Sequence, residues 1–343
     1  MSQAQRVSTV SRAPNPEARI PNPECYASPM HIPDGFLTAG VTGITWAGAG
    51  LGVAAALRAE KADPNPMPAG ILGATAAFVF AAQMINIPVA PGISGHLVGA
   101  ALSAVLLGPW RAVIVMAVVL AVQALLFQDG GITALGANTL DMGVAASLTG
   151  FAVASLSSRW SNSLRARVAG GVLGAFAATL VSAVLTGLWL GLSGLYPIVP
   201  VVQLMLVTHV AIGLLEAALT GAVLATVVRW RPDLLRGLSG EASPATGVAV
   251  AGGLFGAGLA VAAFLSPFAS ALPDGLDHAA ERLGFAGRAF ASWPAPFPDY
   301  ALPFLSSPAI ATAAAGAAGT LLAAAVAWGV SRGVRQPGRD AHR

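Results

Sequence analysis

Long apolar stretches are the feature that most restricts what this chain can become. Nine of them run Leu37–Leu57, Ala69–Pro88, His96–Leu107, Arg111–Phe127, Leu140–Leu156, Val168–Leu192, Val199–Val228, Thr246–Leu265 and Ala309–Val330. Most are long enough, at a rise of about 1.5 Å per helical residue, to cross about 30 Å of hydrocarbon or nearly so. Only 10% of the 343 residues are charged and mean hydropathy is +0.72, whereas a soluble domain carries about 25% charged residues. Backbone groups in lipid must be hydrogen-bonded within the protein, and the alternation of barrel strands is absent, so the stretches must be helices. The expected fold is an all-α polytopic membrane protein, with about seven helices in a first module and two in a C-terminal one.

The polar residues divide the chain. Residues 1–29 are rich in Pro, Ser, Asn and Glu and show no periodicity, the pattern of a disordered leader without the apolar core of a signal peptide. A membrane domain over 30–240 follows, closed by a polar linker containing Arg229, Arg231, Asp233, Arg236 and Glu241; a two-helix module with a large polar loop occupies 241–343. The single cysteine, Cys25, rules out an internal disulfide framework or a Cys-based zinc site. Net charge is +3, but the basic residues are scattered through the loops, which argues against nucleic acid as a partner. If His31 lies outside, 13 of the 18 Lys and Arg fall in inward-facing loops, including Arg58, Lys61, Arg111, Arg159 and Arg332. The positive-inside rule then places residue 31, the His96 loop and the Asp129 loop on the extracytoplasmic side of a plasma membrane, and the C-terminus in the cytoplasm. No nucleophile with a paired base and no phosphate-binding loop is present; "GGITALG" lacks the lysine such a loop needs.

The chemistry centres on "MHIPDGFL" at residues 30–37. His31 and His96 flank membrane segments on the same expected face, and imidazole suits Ni, Co, Cu and Zn. Two interfacial histidines taken alone fit plain hydrogen bonding to backbone better than metal ligation. A chain that begins at Met30 changes this: its α-amine, the deprotonated His31 amide and the His31 imidazole form fused chelate rings, and His96 completes four nitrogens. Such a square-planar set selects Ni(II) or Cu(II), with Co(II) open, and its affinity rises with pH because the amide must lose a proton. The expected mature protein therefore begins at Met30. Gln83, Asn86 and Ser94 could orient the ligands, or could serve helix packing. Asn138 and Asp141 end a glycine-rich loop expected to pack over the metal; Asp141 alternatively sits at a helix N-terminus. His209 and Glu216, seven apart on one helix face, are ionisable residues inside a membrane segment, for ion or proton passage or for an interhelix polar network. His278 reads as a helix-surface residue.

The sequence resembles the CbiM/NikM family, the substrate-capture membrane components of energy-coupling-factor transporters for cobalt and nickel. "MHIPDGFL", "FAAQMINIPVAPGISGHLVGA" (80–100), "FQDGGITALGANTLDMG" (127–143) and "THVAIGLLEAALTG" (208–221) carry the resemblance over about residues 30–230. It implies Met30, His31 and His96 as metal ligands, a transported Ni2+ or Co2+ and no cofactor, and ATP hydrolysis on separate ATPase subunits joined through a coupling membrane subunit. The 29-residue leader departs from the family pattern. Residues 271–304, with "PDGLD" and "PDYA", resemble the outer loop of the family's small two-helix partner, so the chain reads as a fusion of the two. The competing readings are an ion-coupled secondary transporter and an intramembrane metal-dependent enzyme, both built on His209 and Glu216.

Overall fold

The structure, a computed structural model, describes residues 31–159, 161, 163–230, 247–302 and 304–334. Expectations placed on the leader, on Met30, on the basic linker after Trp230 and on Arg335, Arg339 and Arg343 lie outside these residues. Among the described residues, seven helical spans are long and apolar enough to cross a membrane. They are α1 (Ala39–Ala62), α4 (Pro109–Val122, extended by a π turn to Phe127), α5–α6 (Leu135–Asn138 and Ala146–Ser158, joined by a π turn), α7 (Leu164–Leu192), α8 (Ile198–Trp230), α9 (Gly247–Ala260, with a π turn Val261–Leu265) and α11 (Pro308–Val334). Two shorter helices, α2 (Ala69–Gln83) and α3 (Ala100–Leu107), bring the first part to the seven apolar segments expected there, and α10 (Gly275–Leu283) lies in the C-terminal loop.

Three segment boundaries differ from the expected ones in ways that shape the site. The second helix ends at Gln83 rather than Pro88, and a small hairpin follows, β1 (Ile87–Ala90) against β2 (Ile93–Gly95), with Ile87 opposite Gly95 and Pro88 opposite Ser94. Pro88 and Pro91 cannot continue a helix, and Gly92 takes a left-handed φ of 75° at the turn. The third helix starts at Ala100 because Gly99 is left-handed at φ 77°; this leaves His96 in extended chain just after β2. The fifth begins at Leu135, so Asp141 lies inside a π turn (Thr139–Ala145) and not at a helix N-terminus. π turns of this kind recur at functional sites, and the one over Gln123–Phe127 delivers the chain to Asp129.

α2 is too short to span alone and is buried along most of its length, because α9 and α11 pack on it. Small residues make that approach possible: a Cβ on Gly73 would lie 2.7 Å from the Ala324 carbonyl, and one on Gly319 would lie 2.1 Å from the Phe80 ring. A second apolar cluster closes one end of the bundle. It joins Ile32 and Phe36 to Leu190 of α7, Val201 and Met205 of α8, and Leu276 and Phe285 of the C-terminal loop. At the C-terminal end of α1, Arg111 of α4 reaches Glu60 at 2.6 Å and also pairs with Asp63.

Candidate metal centre

Residues 31–36 enter the closed end of the bundle as extended chain held on both sides. Asn138 clamps Ile32: its Oδ1 accepts from the Ile32 N–H at 3.0 Å and its Nδ2 donates to the Ile32 carbonyl at 3.1 Å. The Gly131 N–H donates to the same carbonyl at 2.9 Å. Two residues on, Asp34 Oδ1 accepts from the Thr133 N–H at 2.7 Å and from its hydroxyl, while Oδ2 accepts from the Ser292 hydroxyl and N–H. The glycine-rich loop therefore lies directly against the histidine-bearing segment. Only a hydrogen fits at Gly131, where a Cβ would fall 2.2 Å from the Asp34 nitrogen.

This scaffold places the His31 and His96 rings 5.8 Å apart, centroid to centroid, at 61°. His31 Nδ1 lies 2.8 Å from Asp129 Oδ1, and Asp129 Oδ2 accepts from the Tyr300 hydroxyl at 2.6 Å. With Nδ1–H donated to the carboxylate, Nε2 carries the lone pair, and that atom is buried without a hydrogen-bond partner. His96 donates Nδ1–H to the Leu97 carbonyl at 3.2 Å, which likewise leaves Nε2 as the basic nitrogen. Burial, reinforced by the neighbouring His31, pulls the His96 pKa to about 4, so it is neutral and ligand-ready at ordinary pH. Burial also opposes charge on His31, but the Asp129 carboxylate and its hydrogen bond outweigh that and raise the His31 pKa. Asp129 is held below the usual carboxylate range by the same pairing and by Tyr300, against the effect of its burial.

The two histidines border a cavity of about 60 Å³, room for a few water-sized groups. Asn138, Asp141, His209 and Asp274 also line it. Asp141 is tied to α7, accepting from Trp189 Nε1 at 2.8 Å and the Thr186 hydroxyl at 3.1 Å. His209 shares the cavity, with Nδ1 donated to the Met205 carbonyl at 2.7 Å, and packs against the α10 turn at Gly275. Among the described residues, no three His, Cys, Asp or Glu side chains form a ready-made metal cage. The imidazole pair is thus two donors that need more from elsewhere.

The remaining residues singled out from sequence hold backbone. Glu216 accepts from the Val98 N–H at 2.6 Å and the Gly99 N–H at 3.0 Å, capping the chain that carries His96 into α3. Gln83 donates to the Val98 carbonyl at 2.6 Å. The Ser94 hydroxyl donates to the Leu272 carbonyl at 2.6 Å, and the Asn86 carbonyl accepts from the Ser270 N–H at 2.8 Å, so both bind the C-terminal loop. His278 is half-buried on α10, away from the cavity.

Four residues that carry this site are absent from the sequence-based candidates: Asp34, Asp129, Asp274 and Tyr300. Asp274 caps α10, its Oδ1 accepting from Leu276 and Asp277 at 2.8 Å each, and burial at the cavity edge pushes its carboxyl upward to about 7. Their signal is scarcity. In a chain with only 15 Asp and Glu, an acid in a Pro-Asp or Gln-Asp-Gly turn beside an apolar segment needs a partner.

Comparison with known proteins adds relatives to this geometry. Residues 31–234 match the family described as "Cobalt uptake substrate-specific transmembrane region", and residues 248–336 match the PDGLE domain. A chain of Archaeoglobus fulgidus, provisionally named a fused nickel transport protein, is 34% identical over 89% of this chain and 99% of its own. A cobalt transport protein of Sorangium cellulosum is 35% identical over 60% of this chain and 94% of its own. The crystal structure of a transition metal transporter superposes with a TM-score of 0.51 at 31% identity, covering 58% of this chain and 93% of that one. With its multi-pass helical bundle and a match over more than half its length, the chain belongs to the cobalt uptake substrate-specific transmembrane family and carries a PDGLE domain behind it.

Proposed function

We propose that this protein is the metal-capturing membrane component of an ATP-driven energy-coupling-factor importer for nickel or cobalt. It takes up the ion at the outer face of a bacterial plasma membrane, the capture part being residues 30–240 and the accessory part 241–343. The observation that carries the reading is the pair of buried imidazoles, His31 and His96, whose ring centroids lie 5.8 Å apart at the edge of a small polar cavity. The excess of Lys and Arg in loops away from this end supports the orientation.

His31 and His96 bind the ion, and the Met30 amine with the His31 amide nitrogen completes a four-nitrogen set. A chelate ring through that amide uses Nδ1, the nitrogen bonded to Asp129 in the metal-free arrangement. Loading would therefore require the imidazole to turn, freeing Nδ1 for the ion and leaving Nε2–H as the group for Asp129 to accept. An all-nitrogen set and the name of the fused relative favour nickel over cobalt. ATP is hydrolysed on partner subunits, reached through a coupling membrane subunit.

Purified protein beginning at Met30 should hold about one Ni or Co ion, lost on His31→Ala or His96→Ala. Binding that survives His31→Ala but vanishes on His209→Ala would overturn the assignment. Uptake that persists in cells lacking every ATPase partner would instead support an ion-coupled carrier.

A further inference from the structure

The loop between α9 and α11 reaches the His31–Asp129 pair through the hydroxyl of Tyr300. We propose that Tyr300 is a positioning residue of the metal centre, acting through Asp129 to fix the tautomer and orientation of the His31 ring. The proposal rests on His31 being a ligand.

The contacts form a continuous buried chain. Tyr300 Oη donates to Asp129 Oδ2 at 2.6 Å, and Asp129 Oδ1 receives His31 Nδ1–H at 2.8 Å. Exposures of 8%, 5% and 2% leave no water to substitute for any member. A carboxylate that accepts from one imidazole nitrogen keeps the other deprotonated for metal, and the carboxylate itself needs a donor to hold its plane. Tyr300 is that donor, from 171 residues away in sequence.

The backbone around Tyr300 is bent to make this contact. Asp299 and Tyr300 are both left-handed, at φ 56° and 54°, a conformation that side-chain-bearing residues adopt only under compulsion from their surroundings. The compulsion is visible: the Tyr300 ring stacks on Phe127 at 4.7 Å and 15°, and meets the edge of Phe80 at 6.1 Å. Phe297 N–H donates to the Leu126 carbonyl at 2.9 Å, and Trp293 Nε1 to the Leu125 carbonyl at 3.1 Å. A tyrosine needed only to fill space would not require its hydroxyl aimed at the carboxylate bonded to His31.

Tyr300→Phe keeps the ring and its stacking and removes only the donor. The protein beginning at Met30, in nanodiscs and titrated with NiCl2, should lose about 10- to 100-fold in affinity. The metal-free protein, labelled with 15N-histidine, should shift from a single Nδ1–H tautomer of His31 to a mixture. Asp129→Asn should lose at least as much, and the double variant no more than Asp129→Asn alone, since Tyr300 acts through Asp129. Affinity within twofold of the parent with an unchanged tautomer would overturn the proposal, as would fully additive losses. Should Tyr300→Phe fail to fold, the Asp129→Asn protein decides: an unchanged His31 tautomer there removes the relay. A parent that binds no Ni2+ would refute the transport reading, while the tautomer measurement would still judge Tyr300.

Discussion

Asn138 offers the sharpest test of how the site is held. It is 3% exposed, and both ends of its amide grip Ile32, at 3.0 and 3.1 Å. Asn138→Ala removes the bond to the Ile32 carbonyl, worth about 0.5–1.5 kcal/mol, and strands the Ile32 N–H, at about 1–3 kcal/mol; the total is about 1.5–4.5 kcal/mol. The Ile32 carbonyl is spared because Gly131 still donates to it at 2.9 Å. The loss falls on docking of residues 31–36, not on the helices, since α5 keeps its other packing. Metal binds only the docked loop, and apparent affinity falls by the fraction docked, about tenfold for each 1.4 kcal/mol beyond the loop's own reserve. Nickel affinity should therefore weaken by about 10- to 100-fold, while hydrogen exchange at residues 31–36 accelerates and the bundle melts almost unchanged. Asn138→Asp keeps the acceptor for Ile32 N–H but sets an oxygen against the Ile32 carbonyl, so it should be nearly as damaging. Parental affinity and exchange in Asn138→Ala would show that the clamp does not hold the site.

Glu216→Ala should strand the Val98 and Gly99 N–H groups and cost about 2–6 kcal/mol, read as a lower melting temperature with His96 disordered by exchange; an unchanged melt would refute the cap. Arg111→Met, at the other end of the bundle, removes the cation that pairs with both Glu60 and Asp63 and should lower the melting temperature while nickel affinity in the folded fraction stays parental. Because chelation displaces protons from the amide and the imidazoles, nickel affinity should climb as pH rises between about 6 and 9; a flat profile in calorimetry would argue against amide ligation.

The helices were legible because lipid leaves few choices: a long run of Ala, Val, Leu and Gly between basic or Pro-Gly breaks can only be a span. What composition could not place was the ends. Residues 84–99 are as apolar as the helices beside them, and only Asn86, Pro88, Pro91 and the left-handed Gly92 and Gly99 turn them into a hairpin and an extended lead. His31 and His96 stood out as rare donors beside helix ends. Their partners did not, because each contact joins distant chain: Asp129 is 98 residues from His31, Asn138 is 106 from Ile32, and Ser94 is 178 from Leu272. Hydrogen bonds at such separations leave no periodicity to detect. Glu216 reads from sequence as a charge for moving ions, whereas both its oxygens are engaged by backbone.

Three Pro-Asp turns explain why the two apolar blocks meet at the site end. Pro33-Asp34 receives Ser292 and gives its carbonyl to Phe290 N–H at 3.1 Å; Pro273-Asp274 receives Ser94, whose N–H donates to the Pro273 carbonyl at 2.8 Å; Pro298-Asp299 delivers Tyr300 to Asp129. In each, proline fixes the backbone φ of the approach, and at the buried Pro33 it also removes an N–H that would otherwise need a partner. The aspartate or its neighbour then makes the crossing bond. The first turn anchors the histidine-bearing loop, the second forms the cavity edge, and the third orders the His31 ring. A separate C-terminal module tethered only by a linker would show none of these; here the crossing bonds of all three lie at the same end of the bundle as His31 and His96.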